Sequence, residues 1–121
     1  MNKKQVNEYI DYAYAALKDS NIVADNKLTG NYRAQISSFG AAIIMGNVKT
    51  AVAYFCKAED KKEVVKVVYR TLNKNSVSSK VEGPELFNDI VKNKYSKNDV
   101  LEAAVAVKLA MNLFENYSQE E

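Results

Sequence analysis

Residues 34–55 read AQISSFGAAIIMGNVKTAVAYF, and the parsing of this stretch decides the fold. No charged side chain stands between Arg33 and Lys49, yet Ser37, Ser38, Gly40, Gly46 and Asn47 interrupt the apolar run. A membrane-spanning helix needs about 20 predominantly apolar residues. The uncharged run here is shorter and carries Gln35, two serines and an asparagine, so it belongs to the core of a soluble domain. Ile36, Phe39, Ile43 and Gly46 form one helical stripe, widened by Ala41, Ala42 and Met45. Val48, Ala51, Val52 and Phe55 form a second. Gly46-Asn47 divides them, because glycine tolerates the left-handed turn that ends a helix and Asn47 can cap the next one. The stretch is two helices meeting at a tight joint, with small residues that let their backbones approach neighbours.

The same periodicity extends outward on both sides. Val6, Tyr9, Ile10, Ala13, Ala16 and Leu17 predict a helix over residues 4–20. Residues 21–30 are polar and loop-like, with Ile22, Val23 and Leu28 available to the core, and the second helix starts near Thr29 or Asn31. In DKKEVVKVVYRTLNK (60–74) valine favours strands. The pairs Val64-Val65 and Val67-Val68, continued by Leu72, nevertheless fit a helix face better than alternation, so a helix is expected from about Asp60. Residues 75–83 (NSVSSKVEG) form a loop. Pro84 then opens a short helix at a first-turn position, with Leu86, Phe87, Ile90 and Val91 apolar.

Ser96-Lys97-Asn98-Asp99 is a capping-type start. The last helix is expected to run to about Tyr117, carrying Val100, Ala104, Val107, Met111 and Phe114 on one stripe and Leu101, Val105 and Leu109 on another. Only Glu102 and Lys108 are charged between Val100 and Met111, which predicts a nearly central helix. No repeat or linker divides the chain. Residues 1–121 are read as one domain, a compact all-α bundle of about six helices.

Composition narrows the function. A chain of 121 residues, 47% apolar and 26% charged, can build one core, and one proline and four glycines leave few helix breakers. The net charge of +2 does not by itself announce a nucleic-acid binder. The single cysteine, Cys56, forbids an internal disulfide and fits a reducing compartment. MNKKQVNEYIDYAYAAL becomes amphipathic rather than continuously apolar, unlike a signal peptide, so a cytoplasmic location is expected. There is no histidine, which removes the usual general base and the commonest metal ligand. Carboxylate-only metal catalysis survives in principle. The expectation is a chain with no catalytic residue, no metal site, no cofactor and no small-molecule substrate.

Lys62, Lys66, Arg70 and Lys74 stand four apart, along one side of the fourth helix, with Lys57, Lys61 and Lys80 nearby. Residues 57–80 hold seven basic and three acidic side chains, a local charge of +4. Such a stripe could follow a phosphate backbone; the plainer reading is a solvated helix face. The eight tyrosines could stack on bases, or sit at the edge of the core with a wet hydroxyl. Cys56 beside Lys57 could carry a lowered thiol pKa, or be a small buried apolar residue. Asp19, Asp25, Glu59 and Asp60 show no ligand spacing.

On its residues the opening stretch also resembles the small subunit of type III-B CRISPR RNA-guided effector (Cmr) complexes. Tyr32-Arg33 matches that family's tyrosine-basic start. Ser37-Ser38-Phe39-Gly40-Ala41-Ala42-Ile43 matches its middle, with glycine where many members have proline. Gly46-Asn47-Val48 sits at the joint and Ala51-Val52-Ala53-Tyr54 in the helix after it. The likeness is dense over residues 29–58 and elsewhere rests on length, helical pattern and a long last helix. Asn47 stands where glycine is typical, and Val48 where leucine is. Leu109-Ala110-Met111-Asn112 replaces an aromatic followed by a Lys-Arg pair.

The resemblance implies a non-catalytic helical subunit, stacked in several copies beside other complex subunits and lining the groove for target RNA in antiviral defence. Its partners would be those subunits, further copies of itself, and guide and target RNA, with no membrane. The residues expected to meet RNA are Lys62, Lys66, Arg70 and Lys74, from helical spacing. Arg33, Lys49 and Lys57 join them because they lie in or beside the motif. Two other readings stay open: a helical adaptor or homo-oligomeric interaction module with no RNA role, and a carboxylate–metal hydrolase.

Overall fold

A computed structural model describes residues 2–28, 31–58, 61–77 and 84–116. Among them the chain forms six α-helices. These are α1 (Lys3–Lys18), α2 (Tyr32–Met45), α3 (Val48–Lys57), α4 (Lys62–Leu72), α5 (Glu85–Val91) and α6 (Lys97–Met111). The all-α expectation holds. Apolar faces close on one core, and α6 lies at its centre, packed by α1, α2 and α4.

Three of the helices, α1, α3 and α6, start where the sequence supplies a side-chain cap. The Asn2 side chain accepts from the backbone N–H groups of Lys4 and Gln5 at 2.9 and 3.2 Å. Asn47 accepts from the Thr50 N–H at 2.8 Å. Ser96 and Asp99 form a reciprocal capping box, the side chain of each accepting from the other's backbone N–H.

The joint in the opening stretch falls between Met45 and Val48 as the sequence indicates. Its mechanism differs. Gly46 has φ −122° and ψ −120°, not a left-handed conformation. A Cβ there would lie 3.1 Å from the Ala42 carbonyl oxygen, so glycine serves a close backbone approach. Gly40 is less constrained, since a Cβ would meet Leu101 at an ordinary 3.9 Å.

Three further expectations are corrected. The loop over 21–30 contains a two-residue hairpin, β1 (Val23–Ala24) and β2 (Lys27–Leu28), turning on Asp25 and Asn26 with φ 55° and 64°. Both tolerate the left-handed region a tight hairpin needs. The last helix ends at Met111 rather than near Tyr117, which lies outside the described residues. Three successive backbone bonds from residues 112–114 to carbonyls three positions earlier tighten the chain. β3 (Glu115–Asn116) then pairs in parallel with β2. Phe114 nevertheless reaches the core from this turn, its ring stacked on Tyr14 at 5.2 Å.

Pro84, finally, is the cap residue before α5 rather than its first helical position. The expected start of the fourth helix at Asp60 lies outside the described residues. Phe39 is fully buried and meets Phe55 edge-on at 5.1 Å, centring the α2–α3 pair on the core.

Candidate nucleic-acid interface

The basic line on α4 does not run along a solvated face. Arg70 is only 8% exposed, and its guanidinium lies against Asp19 of the α1 terminus at 3.4 Å. Lys66 is drawn to Glu63 one turn earlier at 3.3 Å, and Lys62 is half-buried. Lys74 lies beyond the helix end with φ 53°, in the left-handed position of a cap closed by the Asn75 N–H donating to the Arg70 carbonyl at 2.8 Å. The spacing placed Lys62, Lys66 and Arg70 on one side of α4 correctly. That side descends into the α1 flank, where Ala16, Asp19 and Ser20 meet Glu63, Lys66, Val67 and Arg70 around a recess of about 150 Å³. Lys74 leaves the line because the helix has ended.

Arg33 also faces the protein. Its guanidinium donates to Asn112 Oδ1 at 2.8 Å and to the Met111 carbonyl at 3.2 Å. That carbonyl also accepts the Phe114 N–H, so Arg33 braces the turn that closes α6. Through its own bond to Arg33, Asn112 ties the end of α6 to α2.

Lys49 and Lys57 are presented to solvent. They lie on the outward side of α3 with Thr50, Ala53 and Tyr54, all exposed. Tyr54 is 60% exposed and is the one exposed tyrosine among the described residues. Its ring meets Phe55 edge-on at 5.7 Å. Beside it, Ala42, Gly46, Asn47, Thr50, Ala51 and Tyr54 enclose a notch of about 280 Å³ at the α2–α3 joint.

The remaining described tyrosines are structural. The Tyr69 hydroxyl donates to Asp89 at 2.9 Å, and burial, this bond and the nearby carboxylate push its pKa up to about 12. Tyr95 donates to Asn73 at 2.8 Å and is likewise pushed up to about 12, by burial first and Asp89 second. Tyr9 accepts from Gln5 at 3.0 Å and is raised chiefly by burial. Cys56 is not activated by Lys57: burial, with a smaller push from Glu85, raises its thiol pKa.

The sequence carried a signal for the α3 face that helical spacing of cations did not use. No acidic residue occurs between Asp25 and Glu59, while Lys27, Arg33, Lys49 and Lys57 do. On α4, by contrast, Glu63 sits inside the basic line and neutralises part of it.

A second surface is apolar. Ile44, Met45, Leu109 and Leu113 are exposed, Met45 to 86%. Next to them, Ile36, Gly40, Ala41, Leu101 and Val105 line a groove of about 260 Å³ between α2 and α6. The second stripe read on the last helix is therefore only partly covered. Among the described residues no group of three or more Cys, Asp or Glu could hold a metal ion. No helix among them is long and apolar enough to cross a membrane. Comparison of the chain with protein-family models, curated proteins and solved structures yields no match.

Proposed function

We propose that this chain is a non-catalytic small subunit of an RNA-guided effector complex of the type III-B CRISPR class, working in the cytoplasm. In this reading several copies lie side by side next to the other subunits and line the groove for target RNA. One observation carries it. The α2–α3 unit, which bears the resemblance, is free of acidic side chains and turns Lys49, Tyr54 and Lys57 outward together. Phosphates meet cations there without opposing carboxylates on the same two helices, and the exposed Tyr54 ring lies within one turn of Lys57. The cations used are Lys49 and Lys57, with Lys62, Lys66 and Lys74 as a weaker flank. Arg33 and Arg70 act as struts.

Because one copy offers few phosphate contacts, the isolated chain is expected to bind single-stranded RNA weakly and without sequence preference. Adjacent copies on one strand would raise the affinity by effective concentration. The test is capture of the tagged chain from its host, followed by analysis of the captured RNA and protein. Small guide RNAs with several larger proteins are expected. Capture of further copies alone, free of RNA, would overturn the reading.

A second reading, a helical adaptor without an RNA role, draws on the exposed Ile44, Met45, Leu109 and Leu113. In the effector reading the same face meets another subunit. The adaptor reading requires that neutralising Lys49 and Lys57 leave every interaction of the chain unchanged.

A further inference from the structure

We infer that the notch at the α2–α3 joint is a nucleobase site, in which one unstacked base of a single-stranded RNA lies against Tyr54. The inference rests on the RNA reading above and adds the position where a base, rather than a phosphate, is met.

The floor of the notch is made by Ala42, Gly46 and Ala51, whose side chains end at Cβ or sooner, so a flat ring can settle on it. Gly46 is held to glycine by the Ala42 carbonyl 3.1 Å from its would-be Cβ, which keeps the floor open. Tyr54 forms one wall. Its contact with Phe55 is edge-on, with 71° between the planes, and the ring remains well exposed. Phe55 is itself fixed in the core against Phe39.

The rim is polar. Asn47 accepts the Thr50 N–H through Oδ1, and its Nδ2 donor has no partner among the described residues. A base presents a flat apolar face, and this lining offers its counterpart.

Charge selects the occupant. An apolar side chain of a protein partner would also fit such a floor. It would gain nothing, however, from Lys57 one turn beyond Tyr54, or from the lack of any carboxylate on α2 and α3. A nucleotide uses both features, since stacking takes the base and the lysines take the flanking phosphates. Stacking of this kind tolerates any base.

The experiment titrates the full chain at low salt with 12-nucleotide oligo(U) and oligo(A), followed by amide NMR shifts. Inorganic polyphosphate serves as a probe with the charges and without bases. The variants are Tyr54→Ala, Tyr54→Phe and the pair Lys49→Gln/Lys57→Gln. Tyr54→Ala is expected to weaken both oligonucleotides about tenfold, within the range for loss of one stacked base, and to leave polyphosphate binding and the salt slope unchanged. Tyr54→Phe should bind within about twofold of the parent, because the ring face is kept. The lysine pair should weaken all three probes and lower the salt slope by about two. RNA binding that is unchanged in Tyr54→Ala but weakened by the lysine pair would overturn the notch and leave the RNA reading standing. Equal weakening of RNA and polyphosphate by Tyr54→Ala would also overturn it, since the ring would then act on the fold. No binding by the parent chain at low salt would overturn both.

Discussion

Tyr69 and Tyr95 show how a single buried hydroxyl ties stability to pH. Each holds its proton in the fold to about 12, against about 10 in an unfolded chain. Their contribution is thus fully present below about pH 10 and is lost as pH rises toward 12, because the unfolded chain releases these protons first. Denaturant melts at pH 9, 10 and 11 should show falling stability, less steeply in Tyr69→Phe; an identical decline would refute the assignment to Tyr69. Arg70 makes the opposite point. Its Nε is buried without a hydrogen-bond partner, and Asp19 is exposed enough to be solvated alone. Arg70→Met should therefore stay within about 1 kcal/mol of the parent in a thermal melt and bind oligo(U) unchanged. Loss of RNA binding with intact stability would return Arg70 to the interface. Spacing alone could not have told these cases apart, since it places a side chain on a helix face and says nothing of which helix covers that face.

At the scale of elements, the caps and the joint were legible because they are local. Ser96 and Asp99 close a capping box within four residues, and Asn47 caps α3 from the turn before it. Ser96→Ala should cost about 1 kcal/mol by urea unfolding. Gly46→Ala brings a methyl to 3.1 Å from the Ala42 carbonyl oxygen, so a loss of about 1 kcal/mol is expected in the same assay. An unchanged midpoint would mean that the joint relaxes freely. The strands and the end of α6 were not legible. β1, β2 and β3 have two residues each, too short to leave an alternating pattern. Phe114 keeps helical register with Met111 although the helix has already closed, so its periodicity imitated a longer α6. Here the turn of residues 112–114, the Arg33 guanidinium and the pairing with β2 override the pattern.

Across the whole molecule, the core was read well from stripes and the interface less well from charge. Phe39, Ile43, Val52, Val107 and Met111 are each fully buried. Phe39→Ala should cost about 3–5 kcal/mol, scored by thermal or urea unfolding; an unaltered melt would contradict the packing of α2 and α3 on the centre. The candidate interface required tertiary information. Lys49, Tyr54 and Lys57 gain meaning from being exposed together, Lys66 is weakened by Glu63, and Arg70 loses it by reaching Asp19 at the end of α1.

The buried Glu102 carries a consequence for how the chain is made. Its carboxylate accepts the Asn2 N–H at 2.8 Å across a separation of 100 residues, on the seam where α1 lies along α6. Nearly the whole sequence must leave the ribosome before this seam can close. Until then the buried face of α1, with Val6, Tyr9, Ala13, Ala16 and Leu17, has cover from α4 but not from α6. Pairing of the first helix with the last should make folding slower than in bundles built from neighbouring hairpins alone. Nascent chains halted before α6 should therefore remain open to protease and chaperone along their first helix.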